Sequence, residues 1–512
     1  MSGVTLLAAQ AVPAQLLVRV GLEFQVNAYT TGNQSAPAAA SNGPGFVLVW
    51  SSSRDGSSQG IFGQRFSSGG TGGGEFQINT YTEGDQNNPR VAADSVGNFV
   101  VIWQSTGQDG DNAGIFGHRF DSTGAPLGGE FQVNSFTVGY QGAMHVAAGA
   151  DGDFVVVWSS YAQDDFFSGS FGRRFSSTGV PQATEFQVNA STTSSEYAGA
   201  VGVQSDGHFV VTWASAVVGG GGLELFARRF DSAGTPQGVF QVNSHTSSSQ
   251  YDSRIAIAAD GDFVIAWVSP EQDGDFNGVF GQRFASGGNA VGGEFQINRQ
   301  TDGSQYDPAI AVGADGDFVA VWRGDGDGSG NAVLARRIDL SGVLQGGDLL
   351  VNTYAPGHQI QPEVAAIGSA EFVVTWRSQN QDGDYNGVFA QRLAVLPLAT
   401  LDVDGNGVNE PLTDGLLVLR ARFGFSGFAL TLGAVGANCT RCDSATILSY
   451  LNGLGLTLDI DDDDALQPLT DGLLILRFLF GFTGTTLTGG AVDPDCGRCD
   501  AATIVPYLQT LD

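Results

Sequence analysis

The strongest constraint on this 512-residue chain is an internal period of roughly 54 residues. A segment of the form Glu-Phe-Gln-Val-Asn recurs with its aromatic at Phe24, Phe76, Phe131, Phe186, Phe240 and Phe295; Leu349 stands there in the seventh copy. The spacings are 52, 55, 55, 54, 55 and 54 residues. The closing Asn is present all seven times, at Asn27, Asn79, Asn134, Asn189, Asn243, Asn298 and Asn352. The seven Trp fall one per copy, at Trp50, Trp103, Trp158, Trp213, Trp267, Trp322 and Trp376, each ending a run like Phe-Val-Val-Val-Trp. An Arg closes each copy, at Arg65, Arg119, Arg174, Arg229, Arg283, Arg337 and Arg392. Three markers in one fixed phase exclude chance similarity.

Each copy reads as four short strands. In the sixth, Glu294 to Asn298 alternates apolar and polar residues, Ala309 to Val312 is a second strand, and Asp315-Gly316 makes a tight turn. Phe318 to Trp322 is a continuous apolar run suited to burial on both faces, and Val333 to Ile338 is the fourth strand. Four strands per repeat and seven repeats predict a mainly β chain whose core is a seven-bladed β-propeller of four-stranded blades. A β-helix has a shorter coil, and tandem sandwiches need about twice the residues per unit. A Trp and an Arg at fixed strand positions read as blade-to-blade core and a structural partner, because a substrate site is seldom repeated seven times.

Composition narrows the function classes. Apolar residues make up 42% and Gly supplies 75 residues, which fits a folded, turn-rich chain rather than a disordered one. The formal charge is −31, and all 22 basic residues are Arg. Such a surface disfavours nucleic acid as a partner, and the absence of Lys excludes Schiff-base chemistry. Carboxylates in clusters suit divalent cations. No apolar run reaches 18 residues, so no helix is expected to span a membrane. The five His fall at unrelated repeat phases, and no nucleophile elbow or phosphate loop is present. The chain is therefore read as a non-enzyme with no catalytic residues assigned. Two carboxylates meeting in a propeller mouth as an acid–base pair remain the enzymatic alternative.

Several repeats carry an Asp-Gly-Asp-x-Asn-Gly loop before the last strand of the copy. The full versions are Asp273, Asp275 and Asn277, and Asp382, Asp384 and Asn386. Asp109-Gly-Asp111 and Asp325-Gly-Asp327 are weaker copies, Arg54-Asp55-Gly56 is shortened, and Val217 to Gly222 has no carboxylate. Alternate oxygens around a glycine bend are the first half of a calcium loop. The same residues also favour plain turns.

After Leu393 the pattern stops, and a second period of 57 residues begins. Asp402, Asp404 and Asn406 occupy positions one, three and five of a loop with Gly407 at its bend, and Asp414 opens the exiting helix. The second copy has Asp459, Asp461, Asp463 and Asp471, with Asp464 at the bend position. Carboxylates this close repel without a cation, so both loops read as calcium sites. Each copy continues with Pro-Leu-Thr-Asp-Gly-Leu-Leu, an apolar helix ending in Phe-Gly-Phe, and a C-x-x-C pair: Cys439 with Cys442, and Cys496 with Cys499. These pairs are open to disulfide, zinc or redox roles in that order, and local disulfides suit an exported protein.

The duplicated Asp-Val-Asp-Gly-Asn-Gly and Asp-Ile-Asp-Asp-Asp-Asp loops, each followed by Leu-Thr-Asp-Gly-Leu-Leu and a helix, resemble the type I dockerin family. That resemblance implies a calcium-dependent docking module with a cohesin-type protein partner. The sequence departs from the family: the last carboxylate stands at position thirteen, the repeat is more than twice as long, and each copy adds a C-x-x-C pair.

The expected layout is a leading segment at 1–22, the propeller at 23–393, a connector at 394–400 and the calcium module at 401–512. Met1 to Ala14 has apolar character but no basic start, and reads as the remnant of a signal peptide or an ordinary leader. Gln15 to Val20 has strand character, and either pairs with its own ring or adds to a neighbour's sheet edge in a head-to-tail fibre. The chain is thus expected to be an extracellular or cell-surface calcium-binding structural protein. Its partners are a protein or copies of itself. The alternative is a carbohydrate-binding or carbohydrate-cleaving propeller tethered through the module, with a glycan as ligand.

Overall fold

A computed structural model describes residues 15–41, 43, 45–54, 58–164, 167–190, 194–216, 222–368, 370–397, 401–406, 408–454, 458–463, 465–494 and 496–511. The segment Met1 to Ala14, Asp55 and Gly56, most of Val217 to Gly222, the end of the connector, Gly407 and Asp464 lie outside them. Contacts divide the chain into two compact units. Leu22–Ala394 forms one; Met1–Gly21 and Val395–Asp512 form the other.

Leu22–Ala394 holds the blades of a seven-bladed propeller built from seven four-stranded antiparallel sheets. The innermost strands are Gln34–Ser41, Gln86–Ala93, Gln141–Ala148, Glu196–Val203, Tyr251–Ile257, Tyr306–Val312 and Gln359–Ala366. Each packs on the next, and the last packs on the first, closing the ring. A void of about 130 Å³ touches residues of all seven and marks the central channel. The second strands are the apolar runs ending in Trp. They are buried on both faces because each blade packs between two others: Val47 and Val49 of the first blade share a cluster with Val101 and Trp103 of the second. Ala365 and Val373 of the seventh blade meet Phe46 and Trp50 of the first.

The blade and the sequence repeat are cut at different places. The Glu-Phe-Gln segment is the outer strand of the preceding blade: Ala290–Gln296 pairs with Asn277–Phe284. Cutting the period at Glu294 therefore assigns that strand one blade too late. The ring closes accordingly. Gln15–Gln25 forms the outer strand of the seventh blade, in the order Gln15–Gln25, Asn386–Pro397, Glu371–Gln379, Gln359–Ala366. The leading strand thus pairs within its own ring, the first of the two outcomes expected for it.

The repeated Asn connect neighbouring blades, and the repeated Arg hold turns of their own or the following blade. Asn298 Oδ1 accepts the Val279 N–H at 2.8 Å, while its Nδ2 donates to Gln300 O at 2.8 Å and to Gln305 Oε1 in the next blade at 3.1 Å. Asn79, Asn134 and Asn352 repeat this pattern. Arg65 and Arg229 donate to turn carbonyls of the following blade, whereas Arg283 and Arg337 pair with Asp262 and Asp317.

In Val395–Asp512 the two 57-residue copies share one core. Leu417, Ile447 and Leu451 of the first pack with Leu474, Ile504 and Leu508 of the second. Each copy has a loop, a helix (Leu416–Arg422, then Asp471–Leu479), a single turn and a closing helix (Ser444–Leu454, then Ala501–Leu511). The amphipathic faces that make this core are what carry the acidic loops.

Candidate metal centre

Each copy gathers its loop carboxylates. Asp402, Asp404 and Asp414 each place an oxygen within 4.8 Å of the others, and so do Asp459, Asp461, Asp463 and Asp471. Asp404, Asp414, Asp459, Asp461 and Asp471 are buried. The loop bends because its own carboxylates accept its own backbone. Asn406 N–H donates to Asp402 Oδ1 at 2.9 Å, and Asp463 N–H donates to Asp459 Oδ1 at 3.2 Å. The thirteenth residue closes each loop: Asp414 Oδ1 accepts Val403 N–H at 2.6 Å, and Asp471 Oδ1 accepts Ile460 N–H at 2.6 Å. Asn406 sits beside Asp404, its Nδ2 3.4 Å from Asp404 Oδ2, and its Oδ1 accepts Val408 N–H at 2.8 Å.

The fourth loop position needs a left-handed backbone. Gly405 takes it in the first copy, and Asp462 takes φ 62° in the second. Asp tolerates this region better than most residues, so the second loop folds without glycine there.

Electrostatics favour a cation in both loops. Burial pushes the Asp471 carboxyl up to about 7, and the neighbouring Asp461 and Asp459 charges add to the rise. Burial likewise raises Asp404, assisted by Asp414 and Asp402, and raises Asp461, assisted by Asp463. Four carboxylates cannot all ionise this close together without a positive charge among them. Oδ1 of Asp461 is buried and receives no protein N–H. An all-oxygen donor set with an orphaned buried oxygen fits a hard divalent ion. These residues would hold such an ion, and the ion would supply the charge that lets the cluster ionise.

Both C-x-x-C pairs are disulfides, Cys439–Cys442 and Cys496–Cys499, with Cα atoms 5.4 Å apart in the ordinary range. Each disulfide hairpin carries an Arg that sequence reading passed over. Arg441 Nε donates to Val403 O at 2.9 Å, and its Nη2 donates to Asp402 O. Arg498 does the same to Ile460 O, at 2.8 Å, and to Asp459 O. The backbone N–H of each Arg donates to the carbonyl of loop position three, Asp404 or Asp461. The signal was the sequence Cys-x-Arg-Cys, present in both copies.

The blade loops use their carboxylates differently. Asp273 Oδ2 accepts from Gln296 at 3.2 Å, and Asp275 Oδ2 accepts the Gly303 N–H at 2.9 Å. Asn277 meets Tyr251 and Ser304. Asp382 Oδ2 accepts from Asn27 at 3.0 Å, Asp384 Oδ2 accepts the Gly32 N–H at 2.9 Å, and Asn386 donates to Asn33 at 2.7 Å. The two Asp of each loop thus face different partners and tie it to the adjoining connection. Among the described residues, both groups of three or more clustered acids lie in the C-terminal unit.

No family model matches the chain, and no curated protein matches it. Solved structures resemble it at low identity. A protein of unknown function from Dyadobacter fermentans is 10% identical, with 74% of this chain and 99% of that one covered at TM-score 0.44. A polysaccharide lyase, an ulvan lyase bound to a saccharide, is 13% identical over 72% and 95% at TM-score 0.49. An α-L-arabinanase from Penicillium chrysogenum, complexed with arabinobiose, is 9% identical over 74% and 98% at TM-score 0.41. Likeness at this level carries no inference about chemistry.

Proposed function

We propose that this chain is an extracellular calcium-binding protein, in which the propeller presents a ligand surface and the C-terminal unit is a calcium-dependent docking module. The observation that carries the reading is the pair of buried aspartate clusters 57 residues apart, each closed at loop position thirteen and clamped by an Arg. Calcium suits flexible all-oxygen loops of this kind. Two disulfides favour an oxidising compartment. The dockerin-like reading supplies a protein partner, and the duplicated exposed pairs Phe423 with Phe425 and Phe480 with Phe482 offer apolar contact surface. The proposed division is 1–22, 23–393, 394–400 and 401–512.

Equilibrium dialysis of the full chain with calcium tests this. About two ions per chain are expected, both lost on Asp414→Asn plus Asp471→Asn. No saturable calcium binding would overturn the reading. More than two ions would bring in the blade loops at Asp273, Asp275, Asp382 and Asp384.

A second reading, that the propeller binds saccharide, is favoured by one observation. The sevenfold repeat is broken by charged side chains at two cavities: the central channel, with Arg90, Arg254 and Glu363, and a second where Arg323 and Arg377 stand in one sequence phase. Binding sites arise where a repeat departs from its consensus, because structural roles already account for what all copies share.

A further inference from the structure

The position after each repeated Trp lies on the second strand of its blade. Five blades carry Ser51, Gln104, Ser159, Ala214 and Val268 there; the sixth and seventh carry Arg323 and Arg377. Both Arg line a cavity of about 310 Å³, together with Asn331, His358, Ile360, Gln379 and Asn386. The volume is within the range of small-ligand sites.

The charges there do not cancel. Arg323 Nε lies 2.8 Å from Asp307 Oδ2, and its guanidinium covers the Tyr306 ring at 4.7 Å. Around the neighbouring channel, Arg254 pairs with Asp252 at 2.7 Å, and Arg90 faces Glu363 at 3.8 Å. Arg377 forms no ion pair with any described residue, and its Nε is buried without a hydrogen-bond partner. In a chain with 53 acids and 22 bases, a half-buried cation left unpaired needs an explanation. Burial and the Arg323 charge act against its charged form, and the Asp307 carboxylate that pairs with Arg323 offsets them only in part. An anionic ligand oxygen would relieve both, and a guanidinium fork matches a carboxylate or sulfate in two parallel hydrogen bonds.

The rest of the lining selects the ligand class. Beside Ile360 stand three amides and an imidazole, groups that both donate and accept as sugar hydroxyls do, although Asn386 Nδ2 already donates to Asn33 and His358 Nδ1 already accepts the Asn331 N–H. An acidic peptide would need the cations but not this shell. We infer that the cavity at the sixth and seventh blades binds an acidic saccharide, with Arg377 holding its carboxylate or sulfate group. The inference rests on the reading of the propeller as a saccharide binder and is independent of the calcium sites.

Titration calorimetry of the full chain tests it with four probes: a galacturonate tetrasaccharide, a sulfated carrageenan tetrasaccharide, an uncharged galactose tetrasaccharide and a tetraglutamate peptide. The variant is Arg377→Gln, which installs the side chain that the second blade already carries as Gln104, with unchanged melting as its folding check. One or both acidic sugars should bind the wild type, with the preferred sugar identifying carboxylate or sulfate. Binding should weaken at least about tenfold in Arg377→Gln and fall with added salt. Equal binding of acidic and uncharged sugars, unaffected by Arg377→Gln, would overturn the anion site while leaving saccharide binding standing. No sugar binding at all would overturn both. Tetraglutamate binding as tightly as the sugars would overturn the choice of saccharide.

Discussion

Arg441 stands 3.9 Å over the ring of Tyr450 while its guanidinium holds the backbone carbonyls of Asp402 and Val403. Arg498 and Tyr507 repeat the arrangement at 4.0 Å in the second copy. The disulfide hairpin therefore fixes the path of the acidic loop through a stacked cation, and the loop's ligand oxygens inherit that path. This ties the two unusual features of the C-terminal unit, the C-x-x-C pairs and the acidic loops, into one device.

Arg441→Met should remove two charge-assisted hydrogen bonds and one cation–π contact without removing a ligand. The expected cost is about 2 kcal/mol of stability in the C-terminal unit. Calcium affinity at the first loop should fall while the second loop is unchanged. Reduction of both disulfides should weaken both loops together, read by calcium titration with and without reductant.

Asn298→Ala should destabilise the propeller at one blade junction. It strands the buried Val279 N–H and removes the partner of Gln305, a loss of roughly 2–3 kcal/mol. Urea unfolding followed by Trp fluorescence would show a lowered midpoint. A cost within about 0.5 kcal/mol would mean that the repeated Asn is not the connector described here.

His145 lies on an inner strand at the level of Arg90, Arg254 and Glu363, with Asp252 paired to Arg254. Burial, then Arg254 and Arg90, hold its pKa well below the usual value. The unfolded chain therefore binds a proton that the folded chain refuses. This stability contribution is full above the unfolded pKa of about 6.5 and is lost as pH falls below it. His145→Gln should flatten the decline in melting temperature between about pH 6.5 and pH 5 relative to wild type. Parallel curves would contradict the assignment.

The sequence made the propeller legible because its markers repeat in one phase, and the acidic loops were legible because ligand spacing is local. Blade boundaries were not, since a period has no origin: nothing in Glu294 to Asn298 tells which neighbour it pairs with. Asp273 and Asp382 read as cation ligands because Asp-x-Asp-x-Asn serves turns and metals equally, and the sequence does not show the hydrogen bonds that Asp273 accepts from Gln296 and Asp382 from Asn27. Arg377 was passed over in the sequence, where it is only a departure from the repeat, and its lack of an ion-pair partner is a fact of three dimensions.

Calcium binding at the two aspartate clusters, as proposed, is coupled to folding. Differential scanning calorimetry of the full chain, in millimolar calcium and then in EGTA, tests it most directly. A transition that calcium raises is expected, with about 2.7 kcal/mol of added stability for each occupied loop when calcium is a hundredfold above its dissociation constant. That shift should vanish in Asp414→Asn plus Asp471→Asn. An identical melting profile in calcium and in EGTA would contradict it.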